Sequence, residues 1–355
     1  MHLLENIPLA PLTTIKIGGP AKYFVEATST SEVEEAVAFA RSRDLPLFVL
    51  GGGSNLVVAD SGWPGLVLKI ALQGIEQRSG YDENGSVVFD VGAGESWDKF
   101  VSRAVMARCA GVECLSGIPG SVGGTPVQNV GAYGQEVSET IFAIRALDLQ
   151  SLQVKTLKNT ECGFAYRSSI FNTTKRNCYI ILEVSFALRE GSKPNIRYAD
   201  LQKFFAEHAA EPTLTEVRAA VREIRHRKAM LIVPGDDDAR SAGSFFKNPV
   251  VPQSLFAELS TRLESRRLQI PSYPAADGFR KLPAAWLVEH AGFAKGYTKG
   301  AAGISRKHAL AIINRGGATA AEIIALKDEI QARVFDQFGI RLAPEPVFVG
   351  FGSAV

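Results

Sequence analysis

The sequence predicts a mixed α+β protein with more than one domain. Three observations carry that expectation. At 355 residues the chain is longer than a single core usually serves. Its first third alternates short apolar runs with amphipathic segments of helical period. After a polar loop over residues 233–242 the pattern restarts with short elements, which marks a boundary to a smaller C-terminal part.

Taken in order, residues 23–27 read as a strand. The helix after it is expected to open at Ser31, with Glu34 three residues on as in a capping box. Val33, Ala36, Val37 and Ala40 then recur at helical spacing. Residues 47–50, 67–70 and 87–91 are further strands, and 97–110 an amphipathic helix ending near Gly111. Strands fit 144–149, 154–157 and 179–189. Residues 213–228 form a helix whose basic last turns suit its dipole, and later helices fall near 283–291 and 319–338. No internal repeat and no disordered linker is present.

Composition narrows the class of function. The chain is 46% hydrophobic and 21% charged, ordinary for a globular protein. Its 39 basic and 37 acidic residues nearly cancel, so no general field draws it to nucleic acid or an anionic membrane. An anionic small ligand remains compatible with local clusters. Cys109, Cys114, Cys162 and Cys178 include no CxxC pair, and His2, His208, His226, His290 and His308 are scattered. No metal site is therefore expected, and reduced thiols fit a cytosol. His308 is expected to pack within the small domain rather than act as a base. The opening MHLLENIPLAPLTT lacks a basic stretch followed by an apolar one, and the apolar run 179–188 is too short to span a membrane and carries Glu183. A soluble, cytoplasmic protein is expected.

Two glycine-rich segments stand apart. Gly51, Gly52, Gly53, Ser54 and Asn55 follow an apolar strand directly. Successive glycines permit positive φ and close backbone approach, and their N–H groups can form an anion nest. The loop does not open a helix as a GxGxxG turn would, since Asn55 leads into another apolar run. The second segment reads GIPGSVGG from Gly117 and continues through Asn129, Val130, Gly131, Ala132, Tyr133 and Gly134. So much uncharged glycine fits backbone laid against a flat or phosphorylated ligand. Two nests in one chain point to a dinucleotide with a pyrophosphate.

The pair GGGSN and GIPGSVGG…NVGAYG resembles the UDP-N-acetylenolpyruvoylglucosamine reductase family, and the resemblance runs along almost the whole chain. TTIKIGG from Thr13, CGFAYRSSIF from Cys162, GSFFKNP from Gly243 and PEPVF from Pro344 resemble further family motifs in the same order. The resemblance implies a two-part FAD-binding domain of vanillyl-alcohol-oxidase (p-cresol methylhydroxylase) type plus a smaller α/β substrate-binding domain. Residues 1–70 would be the first flavin subdomain, 71–232 the second with a return segment at 339–355, and 233–338 the substrate-binding domain. The implied cofactor is non-covalent FAD and the co-substrate NADPH. The implied substrate is UDP-N-acetylglucosamine enolpyruvate, reduced to UDP-N-acetylmuramate in peptidoglycan synthesis by a monomer with no nucleic-acid or membrane partner.

That chemistry adds hydride to one carbon of an enolpyruvyl double bond and a proton to its neighbour. The enolate formed on the way needs preorganised stabilisation, and the second carbon needs an acid. Arg167 is the candidate clamp for the carboxylate and enolate, because its planar fork fits a carboxylate and stays charged. Ser244, before two phenylalanines, is the candidate proton donor. Glu345, between two prolines that restrict the backbone, would orient Arg167 or share in proton delivery. FAD would lie against Gly51, Gly52, Gly53, Ser54, Asn55, Ile118, Pro119, Gly120, Ser121, Gly123, Gly124, Asn129, Gly131, Ala132 and Tyr133. Tyr166, Tyr198, Lys228, Asn248 and Tyr273 correspond to substrate contacts, with Lys228 meeting the diphosphate and Lys247 the alternative. Around Lys228 the chain reads RHRKAMLI, without the Lys-Leu-Pro of some members. Tyr198 and residues 252–281 resemble the larger subtype of the family, which closes a tyrosine over its substrate.

Two other functions share the pocket chemistry. A flavin oxidase of the same fold would make hydrogen peroxide without consuming NADPH, and such enzymes often tether flavin through His or Cys. Residues 117–134 contain neither. A non-catalytic flavin or nucleotide-sugar binder would have no use for Arg167, Ser244 and Glu345 together.

Overall fold

The computed structural model describes residues 1–208, 210–265 and 267–352, and the chain forms two compact units. The first comprises Met1–Ile7, Ala21–Gly53 and Trp63–Leu231; the second comprises Pro8–Pro20, Ser54–Gly62 and the chain from Ile232 onward.

The first unit holds a four-stranded sheet in which Pro20–Ala27 and Leu47–Leu50 run parallel to Trp63–Ile70 between them. Leu66, Val67 and Leu68 are wholly buried, as central parallel strands require. Helix α1 (Thr30–Ser42) packs Val33, Ala36, Val37 and Ala40 inward. Its cap is Ser29 rather than Ser31: the Ser29 hydroxyl accepts from Glu32 N–H at 3.3 Å, while Glu32 accepts from Thr28. The cap pattern therefore lies two residues earlier than expected. A second, antiparallel sheet is built on Tyr179–Glu190, flanked by Ile141–Asp148 and Val87–Gly92.

Helix α2 (Trp97–Met106) buries Trp97 and Phe100 against Phe186, with ring centroids 5.7 and 4.6 Å from it. It stops before the expected Ala110, because Arg108 turns left-handed at φ 57° and Cys109–Ala110 pair with the end of Tyr179–Glu190. Helix α3 (Ala199–Phe204) is short, and α4 (Leu214–Arg227) opens on a Thr213–Glu216 capping box. The four cysteines are free, and burial pushes the Cys109 and Cys162 thiols up to about 11, which leaves them inert at neutral pH.

The second unit places helices α5 (Gln253–Glu264), α6 (Ala284–His290) and α7 (Ala320–Phe338) around a core that includes Phe245, Leu287, Phe293, Ile304 and Ile323. Two small antiparallel sheets accompany them, one on Ala302–Ile304 and one on Phe279–Lys281. The α7 N-terminus presents Ala320 N–H and Ala321 N–H to the Asp60 carboxylate at 2.7 and 3.1 Å, a favourable match of charge to dipole. Val347–Val349 pairs in parallel with Leu56–Val58. The closing strand thus lies beside residues 56–58, a piece grouped with the second unit. The opening TTIKIGG motif belongs there too, because Asn314 donates to the Ile15 and Lys16 carbonyls and Thr14 to the Ser241 carbonyl. Among the described residues no helix is long and apolar enough to cross a membrane, and no cluster of three metal-ligating side chains occurs.

Candidate active site

In the first unit the two glycine segments meet backbone to backbone. A Cβ on Gly52 would lie 2.5 Å from the Gly120 Cα, and one on Gly51 would lie 2.7 Å from the Ser121 hydroxyl. The Gly52 clash is with backbone and could not relax cheaply, so that contact demands glycine, whereas at Gly51 the hydroxyl could rotate away. The segments line one side of a cleft of about 320 Å³, shared with Glu26, Lys69 and Ser96. The Ser121 hydroxyl is buried and has no hydrogen-bond partner among the described residues, an arrangement that a polar ligand would complete. By contrast, Gly123 N–H donates to Ala93 O at 2.8 Å and Gly124 N–H to Ser121 O at 3.0 Å. Both N–H groups are used within the fold, and a Cβ on Gly123 would also meet that of Ala93 at 2.6 Å. Ile118 and Pro119 are half-buried between Gly117 and Gly120.

Asn129 spends its side chain inside the fold. It donates to Glu136 at 2.8 Å and to the Ala165 carbonyl at 3.1 Å, and accepts from Ser138 N–H. It thereby ties the glycine stretch to the turn that carries Arg167. Ala165 and Ser168 exchange backbone hydrogen bonds of 3.0 Å across that turn, leaving Tyr166 and Arg167 at its tip. Arg167 has φ 53°, a conformation usually given to glycine or asparagine. Such strain recurs at functional positions, where the surroundings hold it in place. Here Arg167 Nη2 donates to Gly131 O at 2.8 Å, Asn172 donates to Arg167 O, and the guanidinium lies 5.3 Å from the Tyr166 ring centroid. Gly131 has no room for a side chain: its Cβ would meet Gln135 O at 2.9 Å and Arg167 Nη1 at 3.2 Å.

Tyr133, Tyr198 and Lys228 come together. The two tyrosine rings are edge-on at 5.4 Å, with Tyr198 exposed at the start of α3. Ala132 lies in the two-residue strand before Tyr133. Lys228, at the C-cap of α4, pairs with Asp200 at 2.6 Å. Burial would lower its pKa, but Asp200 outweighs that and raises it, so the ammonium is secure at neutral pH. Burial also raises the Tyr133 phenol, against the nearby cations Arg225 and Lys228. Arg225 and Asp200 were not singled out in the sequence.

Arg225, 5% exposed, donates to Gly117 O at 3.1 Å, and Asp98 accepts from Gly117 N–H at 2.6 Å. Asp98 also accepts from both Nη atoms of Arg218, at 2.7 and 2.9 Å, and from Arg222 at 2.6 Å. The glycine stretch is therefore pinned at its first residue. Burial pushes the Asp98 carboxyl up, but Arg218, the Gly117 N–H and Arg222 outweigh it and hold it below the ordinary carboxylate range. A depressed folded-state pKa gives stability that is present above the unfolded value, about 4, and lost as pH falls through the folded one. Asp98→Asn should cost about 1.5–3 kcal/mol at neutral pH, with the deficit shrinking below about pH 4. Urea unfolding across pH checks both parts.

In the second unit Gly243, at φ 78°, turns the chain into Ser244. Phe245 and Phe246 anchor the segment in the core at 0% and 2% exposure. Glu345 N–H donates to Phe245 O at 2.9 Å, and Lys247 N–H to Ala343 O, so Ser244 and Glu345 sit on bridged segments. Asn55 joins them, donating to Glu345 O at 3.2 Å and accepting from Val347 N–H at 2.9 Å. Ser54 O accepts from Thr14. The Ser244 hydroxyl lies 3.1 Å from His308 Nε2, a contact the sequence did not foretell. Asn248 uses its Oδ1 to accept from Ala284 N–H at the start of α6, and Tyr273 is exposed on a short strand.

The family model described as the FAD binding domain matches residues 21–155, and that of the UDP-N-acetylenolpyruvoylglucosamine reductase C-terminal domain matches 235–349. The UDP-N-acetylenolpyruvoylglucosamine reductase of Thermobifida fusca is 45% identical over 352 residues, covering 98% of each chain. That of Streptomyces coelicolor is 44% identical over 98% of this chain and 90% of its own. That of Mycobacterium tuberculosis is 42% identical over 98% and 96% respectively. The crystal structure of the Thermus caldophilus reductase superposes over 98% of both chains with a TM-score of 0.64, at 25% identity. The α+β fold class with its FAD-binding domain, expected from the motifs, stands on these matches. Full-length identity of this order places the chain in the UDP-N-acetylenolpyruvoylglucosamine reductase family.

Proposed function

We propose that the protein reduces UDP-N-acetylglucosamine enolpyruvate to UDP-N-acetylmuramate for peptidoglycan synthesis, with non-covalent FAD and with NADPH as co-substrate. The observation that carries the reading is the Gly51-Gly52 and Gly120-Ser121 cradle, with its buried, unpartnered Ser121 hydroxyl. Such a cradle suits a pyrophosphate. Bound FAD supplies the hydride chemistry, accepting from NADPH and giving to the enolpyruvyl group.

The chain supplies position, charge and a proton. Arg167 holds the substrate carboxylate and the charge of the enolate. Ser244 delivers a proton to the carbon beside that carboxylate, and Glu345 orients the site or shares the delivery. Tyr166, Tyr198, Asn248 and Tyr273 line the nucleotide-sugar end, and Lys228 meets the diphosphate, with Lys247 in reserve. Lys228 would have to exchange Asp200 for the diphosphate, or hold both. Residues 1–70 and 71–232, with 339–355, would serve flavin binding, and 233–338 the substrate. The protein acts as a cytoplasmic monomer.

Denatured protein should release FAD into the supernatant, and NADPH oxidation should depend on the enolpyruvyl sugar. Flavin left on the chain, or peroxide made without the sugar, would favour the oxidase instead.

A further inference from the structure

We propose that His308 is a positioning residue for Ser244: its Nε2–H donates to the Ser244 hydroxyl oxygen and so frees the Ser244 proton for transfer. The inference rests on the reading of Ser244 as proton donor.

Ser244 Oγ and His308 Nε2 are 3.1 Å apart, and both side chains are half-buried in the second unit. The backbones that carry them are clipped together, since Phe245 N–H donates to Leu310 O at 2.8 Å. The His308 loop is fixed from below. Asp238, 0% exposed, accepts from Arg306 N–H and Nε at 2.9 and 2.8 Å. Ser305, also 0% exposed, accepts from Lys307 N–H, and its own N–H donates to Ala311 O. On the other side Gly243 N–H donates to Ser241 Oγ. The pair is therefore set by a rigid frame.

The direction of that hydrogen bond decides what Ser244 can do. A hydroxyl has one proton and two lone pairs. If the imidazole accepted, it would hold the serine proton and make Ser244 a nucleophile. If Nε2–H donates, a lone pair is taken and the serine proton points elsewhere. When that proton leaves, the O–H bond breaks and a C–H bond forms from the enolate electron pair. The alkoxide that remains accepts from Nε2–H, keeps that stabilisation, and is reprotonated by water.

His308→Ala should slow reoxidation of reduced enzyme by the enolpyruvyl sugar by on the order of 10–100-fold, while flavin reduction by NADPH stays nearly unchanged. His308→Gln, whose amide can also donate, should recover much of that loss and guards against mere misfolding. Ser244→Ala/His308→Ala should be no slower than Ser244→Ala alone. Independently of turnover, 15N NMR of labelled histidine should show His308 Nε2 protonated, with its signal moving in Ser244→Ala. An unprotonated Nε2, additive losses in the double variant, or normal reoxidation in His308→Ala beside slow Ser244→Ala would each overturn the proposal. Normal reoxidation in Ser244→Ala would instead remove the proton-donor reading itself, and this inference with it.

Discussion

Arg167→Lys is expected to lower turnover by about a hundredfold or more, despite keeping the charge. The guanidinium is a planar fork, and one of its arms is already committed to Gly131 O at 2.8 Å. That bond and the flanking Tyr166 ring orient the group, while Asn172 holds the backbone carbonyl of Arg167. A lysine ammonium is a point charge on a flexible stem and cannot offer a second arm in a set plane. The left-handed backbone at residue 167 is equally strained for Arg and Lys, so the substitution leaves that strain unchanged. Folding stability should therefore barely move while kcat collapses, and thermal unfolding beside steady-state kinetics separates the two. Near-normal kcat in the lysine variant would make Arg167 a structural residue.

The parts of this molecule that were legible in the sequence are those with local causes. Gly52 announces close backbone contact because no other residue fits there, Gly120 takes a positive φ of 128°, and periodic apolar spacing marks α1, α4 and α7. Misplacements also had local causes. Ser31 and Glu34 carry the same capping spacing as Ser29 and Glu32, and only the structure chooses between them. Helix α5 was missed because it opens on Pro252 with no side-chain cap, so the usual start signal is absent. What the sequence could not convey were pairings across long stretches of chain. Asp98 meets Gly117, Arg218 and Arg222; Lys228 meets Asp200; Ser244 meets His308. No periodicity or motif links such residues, since the fold alone brings them together. The two-unit division is of the same kind. It is set by Asn314 and Thr14 gripping opposite ends of the sequence, and by Val347–Val349 lying beside Leu56–Val58.

Ser244→Ala should leave reduction of the enzyme by NADPH nearly intact and slow its reoxidation by the enolpyruvyl sugar by roughly 10²–10⁴-fold. That range equals about 3–5 kcal/mol of barrier in one half-reaction only. The asymmetry follows from where a proton is needed. Taking hydride from NADPH asks nothing of a serine hydroxyl, whereas saturating the double bond requires a proton at the carbon next to the carboxylate. Removing one oxygen should not disturb the frame, because Phe245 and Phe246 stay buried and the Phe245–Leu310 and Glu345–Phe245 backbone bonds do not involve the side chain. Stopped-flow absorbance reads each half separately. Equal slowing of both would indicate a damaged pocket. Unchanged reoxidation would transfer the donor role to Glu345, whose backbone is bonded to the same segment, or to water.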